Sequence, residues 1–147
     1  MAARVVSLRV QRGKGAAART VRRLYCDVRR GVLNDVHSGH GKRQVCLRFY
    51  GTEPDDRTEG LCARKFTENV AIADLPVQSL TLNSVLRIGG CVLRLTQLGK
   101  TCYADCALAG RGQSCPLARE AAFAEVLESG WIALGDAAAR IGGGDAV

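Results

Sequence analysis

A cysteine that follows a lysine just after a strand-like segment is the residue best placed for chemistry in this sequence. The stretch runs from Thr96 to Cys102 and includes Lys100. A thiol acts as a nucleophile or metal ligand only as the thiolate, which nearby ammonium groups and the backbone amides of glycine-containing loops favour. On spacing alone, Cys102 is therefore a candidate nucleophile or metal ligand, and the alternative is a small buried packing residue.

A second polar cluster lies in a glycine-punctuated segment, residues 31 to 41, that holds both histidines of the chain. Asp35 and His37 are two residues apart, so in an extended segment their side chains point the same way. This arrangement suits an oriented imidazole, a pair of metal ligands or a hydrogen-bonded turn. An Asx-type turn beside a solvated histidine is the structural alternative.

Three cysteines close together in the sequence raise the possibility of a zinc site. Cys102 and Cys106 have a spacing that zinc ligands use, and Cys115 follows them. A closed zinc site needs four ligands, however, and a second tight pair is missing while the histidines lie far upstream. Structural zinc therefore remains an open alternative here.

Short strands separated by glycine turns account for most of the remaining chain. Val85 to Ile88 and Cys91 to Thr96 flank Gly89-Gly90, a pattern typical of a tight two-residue hairpin. Further strand candidates are Arg4 to Gln11, Val21 to Val28, Arg43 to Tyr50, Val70 to Ile72, Leu80 to Leu82 and Trp131 to Asp136. Seven or so short strands predict a mainly β fold, a barrel or a sandwich.

One helix is predicted, from Pro116 to Ser129. Proline suits the first turn of a helix, and Gly130 suits its end. The apolar stripe would consist of Leu117, Ala121, Ala124 and Leu127. The last glycines, Gly142 to Gly144, are predicted to form a frayed tail.

The length, cysteine content and hydropathy of the chain predict a single soluble domain. The 147 residues suffice for one core, and no apolar run reaches the roughly 18 residues of a membrane span. The amino terminus alternates rather than forming the apolar core of a secretory signal, which favours the cytoplasm. Seven cysteines, an odd number, favour reduced thiols over a disulfide framework.

The positive charge is concentrated near the amino terminus. The formal net charge is +7, and residues 1–30 hold nine basic side chains and one acid. Clustered arginines attract nucleic acid or anionic small ligands. Aromatic stacking residues are scarce in this segment, so a solvated arginine-rich surface is favoured over nucleic-acid binding.

A series of short motifs runs through the chain between about Val5 and Ile141. They are Val5 to Ser7, Lys14-Gly15, Gly31, Asp35, His37, Gly39, Arg43-Gln44-Val45, Phe66, Glu68, Asn69, Leu86 to Gly89, Thr96-Gln97, Cys102, Gly130, Gly135 and Asp136. In this order they resemble the MOSC domain family, the molybdenum cofactor sulfurase carboxy-terminal domain, and its small bacterial branch in particular. The chain departs from that branch at Tyr103, where the branch has histidine. Thr101 stands where other branches have proline.

The resemblance implies a MOSC-type β-barrel with a few short helices and a site around Cys102. There the thiol would carry sulfur or coordinate molybdenum of the molybdenum cofactor (molybdopterin), and Asn69 would line the same pocket. The residues that would hold the anionic pterin phosphate are Lys100, Arg43 and Arg119. The family is also associated with pyridoxal phosphate binding, and implied partners are cofactor-biosynthesis or acceptor enzymes.

Two other functions remain open alongside cofactor binding. One is a small reductase or sulfur-transfer enzyme of the same fold, in which Asp35 and His37 transfer protons. The other is a non-catalytic adaptor domain that uses its basic amino-terminal face.

Cys102 is expected to be the most reactive of the seven thiols. Lys100 and the amino end of the predicted helix should both favour its thiolate, so Cys102 should be alkylated at lower pH than Cys91, which the hairpin pattern places in the core. Mass mapping after a short iodoacetamide pulse over a pH series measures the order. Finding Cys102 the slowest thiol to react would contradict a cysteine-centred mechanism.

Overall fold

The computed structural model describes residues 3–13, 15–36, 38–39, 44–50, 68–75, 79–98 and 120–143. These residues are almost entirely β and contain no helix, which confirms the predicted mainly β fold class. The strands are β1 (Arg4–Val10), β2 (Arg19–Thr20), β3 (Arg23–Asp27), β4 (Gly31–Val32), β5 (Val45–Phe49), β6 (Val70–Ala73), β7 (Ser84–Ile88), β8 (Cys91–Leu98), β9 (Ala121–Glu128), β10 (Gly130–Ala133) and β11 (Ala138–Gly143). Within the described ranges, no helix has the length and apolar character needed to cross a membrane.

Eight strands form one curled, half-barrel sheet in the order β11-β7-β8-β9-β5-β6-β1-β2. Its pairs are antiparallel except β5 with β6, which run parallel. The turn before β11 forms hydrogen bonds with β1, which lies near the opposite edge of the sheet. Val5 N donates to Asp136 O at 2.9 Å, and Gly135 N donates to Val5 O at 2.9 Å. These bonds draw distant strands of the sheet together around the core.

A three-stranded sheet, β10-β3-β4, packs against the large one. Leu24 of β3 and Ile132 of β10 join the same apolar cluster as Leu47 and Leu93 of the large sheet. Leu47, Leu93 and Ile132 are fully buried. Each such side chain contributes about 1.5–3 kcal/mol through removal of its apolar surface from water. The core is thus shared between the two sheets.

The hairpin prediction is confirmed. Ile88 pairs with Cys91 across the turn, and Gly89 has a φ of 57°, which costs glycine little because it has no Cβ. The strand predictions at Arg4 to Gln11, Val21 to Val28, Arg43 to Tyr50, Val70 to Ile72 and Trp131 to Asp136 are also confirmed, as β1, β3, β5, β6 and β10.

The predicted helix from Pro116 to Ser129 is wrong from Ala121 onward, because Ala121–Glu128 is strand β9. Residues 116–119 lie outside the described part. β9 pairs with β5 on one side and β8 on the other, and its first four residues are all buried. A short apolar run buried on both faces matches a helical stripe as easily as a central strand, so periodicity alone could not separate the two. Pairing with β5 and β8 therefore determines that this segment is a strand.

Two shorter predictions are also corrected. Leu80 to Leu82 is not a strand but a turn leading into β7, in which Thr81 N donates to Ser84 Oγ at 3.0 Å. Gly142 and Gly143 are not frayed, since they pair with Val85 and Ser84 in β11. Gly144 lies outside the described residues. The described strands number eleven rather than the predicted seven or so: β2 and β4, of two residues each, carry no readable pattern, β9 was predicted as a helix, and β11 was not predicted.

Replacing Gly130 by alanine should destabilise the fold. A Cβ there would lie 2.0 Å from the carbonyl oxygen of Gly90, and the hairpin backbone has no flexible end that can move aside. We expect a loss of about 1–3 kcal/mol in the free energy of unfolding, measured by urea denaturation.

The matched control is Gly142→Ala, where an added Cβ has nothing within 4 Å. It should stay within about 0.5 kcal/mol of the parent. Equal stability of the two variants would contradict the close approach of β10 to the hairpin.

Candidate functional site

Asn69 joins three separate parts of the chain beneath the candidate site. It is 1% exposed and lies at the start of β6. Its Oδ1 accepts from Cys46 N of β5 at 3.0 Å, and its Nδ2 donates to Arg9 O of β1 at 3.1 Å and to Asp35 Oδ1 at 3.0 Å. Both amide hydrogens are therefore used. One side chain holds the loop after β4 against two neighbouring strands.

Asp35 is buried, at 5% exposure, and a second bond fixes it from the other side. Gln11 N donates to Asp35 Oδ1 at 2.8 Å, and Val36 N donates to Gln11 O at 2.6 Å. The preceding residue, Asn34, has a φ of 67°, a left-handed conformation that asparagine tolerates better than most residues. The loop therefore crosses the end of β1 with its carboxylate turned inward.

Asp35 also borders open space. A cavity of about 480 Å³ is lined by Asp35, Arg12, Asn34 and Ser38. The carboxylate thus lies between the hydrogen-bond network around Asn69 and a space that a ligand can enter. This position suits either a structural anchor or a proton-transfer group.

Two other buried polar side chains lie in the segments next to Cys46 and Asn69. Glu68 pairs with Arg9, and Gln44 Oε1 accepts from Val126 N at 2.9 Å. Both Glu68 and Gln44 belong to the motifs that carried the family resemblance, although neither was predicted as a site residue. The buried polar cluster therefore extends beyond the two described site residues.

Arg48 of β5 is a buried cation that sequence reasoning missed. Its Nη2 lies 3.2 Å from Glu120 Oε1, and its guanidinium carbon lies 5.0 Å from the ring centre of Tyr50. The sequence did contain a signal for this residue, an arginine between Leu47 and Phe49 in an otherwise apolar strand. A charge buried there needs an oppositely charged partner, which Glu120 provides.

A larger cavity of about 800 Å³ adjoins the smaller one and shares Arg12 and Asn34 with it. Its other lining residues include Arg23, Tyr25 and Trp131. These residues were not predicted as a site, because β10 and β3 are far apart in sequence. In the sequence, only the clustered arginines of the amino-terminal segment indicated this cavity.

The three described cysteines are free thiols in the interior, and Cys91 lies in the core as predicted. The pKa of the Cys26 thiol is raised well above its usual value, first by a hydrogen bond with Cys91 and then by burial. A raised pKa keeps the thiol protonated and therefore unreactive. Cys62, Cys102, Cys106 and Cys115 lie outside the described residues.

The structure brings together two of the seven predicted site residues, Asp35 and Asn69. The other five lie outside the described residues, so their convergence on one pocket stays a prediction; they are His37, Arg43, Lys100, Cys102 and Arg119. Within the described ranges, no group of three or more His, Cys, Asp or Glu side chains is placed to hold a metal ion. The cysteines considered for zinc are not among those ranges.

Solved structures with the same fold exist, although their sequences have diverged widely. YuaD from Bacillus subtilis is 15% identical, with 94% of each chain covered and a TM-score of 0.64. YiiM from Geobacillus stearothermophilus is 17% identical over 95% of this chain and 75% of its own, with a TM-score of 0.60. A crystal structure titled as a hypothetical protein is 16% identical with a TM-score of 0.61, and the present chain spans 66% of it.

These likenesses define the fold class. The chain is a curled β half-barrel that shares its fold with YuaD and YiiM, which agrees with the β-barrel that the sequence motifs predict. No protein-family model matches the sequence. No curated protein matches it either.

Removing the amide of Asn69 should cost more than removing the charge of Asp35. Asn69→Ala leaves Cys46 N, Arg9 O and Asp35 Oδ1 without this partner in a buried setting, so we expect a loss of about 3 kcal/mol in the free energy of unfolding.

Asp35→Asn is the control, because the amide oxygen still accepts both hydrogen bonds; its loss should be about 1 kcal/mol or less. Urea denaturation of both variants measures the difference. If Asn69→Ala were as stable as the parent, the network would have no structural role.

Proposed function

We propose that this chain is a molybdenum-cofactor-related binding or sulfur-carrier domain in which Cys102 is the binding thiol. The observation that carries the proposal is the fold shared with YuaD and YiiM over nearly the whole chain, which agrees with the family that the sequence motifs resemble. The hydrogen bond between Asp35 and Asn69 adds support, since it joins two motifs of the family resemblance that lie 34 residues apart.

In this proposal Cys102 supplies a soft sulfur ligand, which suits a thiophilic metal. The cofactor, when bound, would supply redox or sulfur-transfer chemistry at its molybdenum. Lys100, Arg43 and Arg119 would hold its anionic phosphate, since arginine binds phosphate oxygens through paired N–H groups. We place the protein in the cytoplasm, with cofactor-biosynthesis or acceptor enzymes as partners.

The Asn69 network would position the loop that carries His37. Hydrogen bonds from Gln11 N and Asn69 Nδ2 fix the carboxylate of Asp35, so the backbone at this point of the loop has a defined position. Fixing a loop in advance reduces the entropy that ligand binding would otherwise have to overcome. Asp35 would therefore act on His37 and the cofactor as a positioning residue.

A small reductase or sulfur-transfer enzyme is the second candidate. The observation that favours it is the cavity beside Asp35, where a buried carboxylate meets open space next to Arg12. In that case Asp35 would transfer protons together with His37. Asp35→Asn would then remove turnover, whereas a purely positioning carboxylate should tolerate the change.

Replacing Cys102 by serine should abolish cofactor binding and leave the fold intact. The hydroxyl is a poor ligand for a thiophilic metal, and a loop thiol contributes little packing. Protein purified from a cofactor-producing host would be analysed for molybdenum by mass spectrometry and for pterin by fluorescence after oxidation.

Cys106→Ser is the matched control, because it removes a neighbouring cysteine of the same segment. It should retain molybdenum and pterin at the level of the parent. If Cys102→Ser bound as much cofactor as the parent, the cysteine-centred proposal would be wrong.

A further inference from the structure

The larger cavity has features of a ligand site that the proposed function does not use. Its volume, about 800 Å³, falls in the range of about 300–1,000 Å³ typical of small-molecule sites. Strands from both sheets line it: Val10 of β1 and Arg19 of β2 on one side, and Arg23 and Tyr25 of β3 with Trp131 of β10 on the other. Rigid strands therefore fix most of its wall.

Among the described residues, three arginines and no acidic residue line this cavity: Arg12, Arg19 and Arg23. Four arginines outside the cavity have carboxylate partners in the described structure: Arg4 with Asp74, Arg9 with Glu68, Arg48 with Glu120 and Arg94 with Glu125. Among the described residues, none of the three cavity arginines pairs with a carboxylate. Their charge is thus available to an anion, and guanidinium groups bind phosphate oxygens in a bidentate manner.

Trp131 provides an aromatic surface at the same place. It is 51% exposed, its ring meets Tyr25 edge-on at 5.2 Å between centroids, and the guanidinium carbon of Arg23 lies 4.7 Å from its centroid. The contacts with Tyr25 and Arg23 hold the indole in place while half of it stays open to solvent. An exposed, fixed indole next to clustered arginines suits a planar ring that carries a phosphate.

We propose that this cavity binds a nucleoside monophosphate, with the base against Trp131 and the phosphate held by Arg12 and Arg19. The limited volume, about 800 Å³, and the single tryptophan favour a mononucleotide over a nucleic-acid strand, which needs a groove with successive stacking residues. Arg12 and Asn34 also line the cavity beside Asp35, so the bound nucleotide would lie next to the candidate site. The site goes beyond the proposed cofactor function and does not require Cys102.

Trp131 is the only tryptophan of the chain, so its fluorescence reports on this cavity directly. AMP and GMP would be titrated into the full chain at fixed ionic strength, with adenosine and inorganic phosphate as separate probes and calorimetry as a second readout. We expect saturable quenching by at least one monophosphate. Adenosine and inorganic phosphate should each bind at least tenfold more weakly, because adenosine lacks the phosphate that the arginines would bind and inorganic phosphate lacks the ring that would contact Trp131.

Arg12→Gln and Arg19→Gln should each raise Kd about tenfold, since each removes a charge-assisted contact with phosphate. Arg87→Gln is the matched control: it removes the same charge from an exposed position on β7, away from the cavity, and should leave Kd unchanged. Trp131→Leu, followed by calorimetry, should weaken binding about tenfold through loss of stacking. Thermal melting of each variant checks that it is folded.

Three results would overturn the proposal. One is the lack of binding by either monophosphate at millimolar concentration. Another is equal weakening by Arg87→Gln, which would show general charge attraction. The third is tight binding of a single-stranded oligodeoxyadenylate in place of the monophosphates, which would show a nucleic-acid surface. None of these readouts involves molybdenum, so failure here is distinguishable from failure of the cofactor proposal.

Discussion

The side chain of Asn69 is the constraint on which the rest of the candidate site depends. One buried amide bonds to β1 through Arg9, to β5 through Cys46 and to the loop after β4 through Asp35. In a low-dielectric interior such bonds are strong when made and costly when missing, so the loop has one favoured position. The polar network beneath the loop and the apolar core beside it are therefore parts of a single structure.

Two cavities with shared lining residues lie beside this network. The smaller one lies beside Asp35, and the larger one lies between β1, β2 and the three-stranded sheet. Arg12 lines both, directly after the stretch that Asp35 holds at Gln11. The two cavities are thus connected by a few residues of one chain segment.

Local patterns in the sequence predicted much of the fold. The hairpin at Gly89 and strands such as β5 and β6 depend on alternation and on turn residues that act over a few positions. The error at β9 has the opposite origin, since its identity as a strand depends on β5 and β8, which are distant in sequence. Asp35 was predicted as a site residue from its spacing to His37 and from a family motif, and Asn69 from a family motif alone. The cavity around Trp131 was missed because it is built from strands that are distant in sequence.

The central claim is that a MOSC-like domain here binds its cofactor through Cys102. The most direct measurement is an anomalous diffraction map at the molybdenum absorption edge, from crystals of protein purified out of a cofactor-producing host. The account predicts a single molybdenum peak within bonding distance of Cys102 Sγ, on the same side of the domain as Asp35 and Asn69. A peak elsewhere, or loaded crystals in which the metal lies far from Cys102, would contradict it.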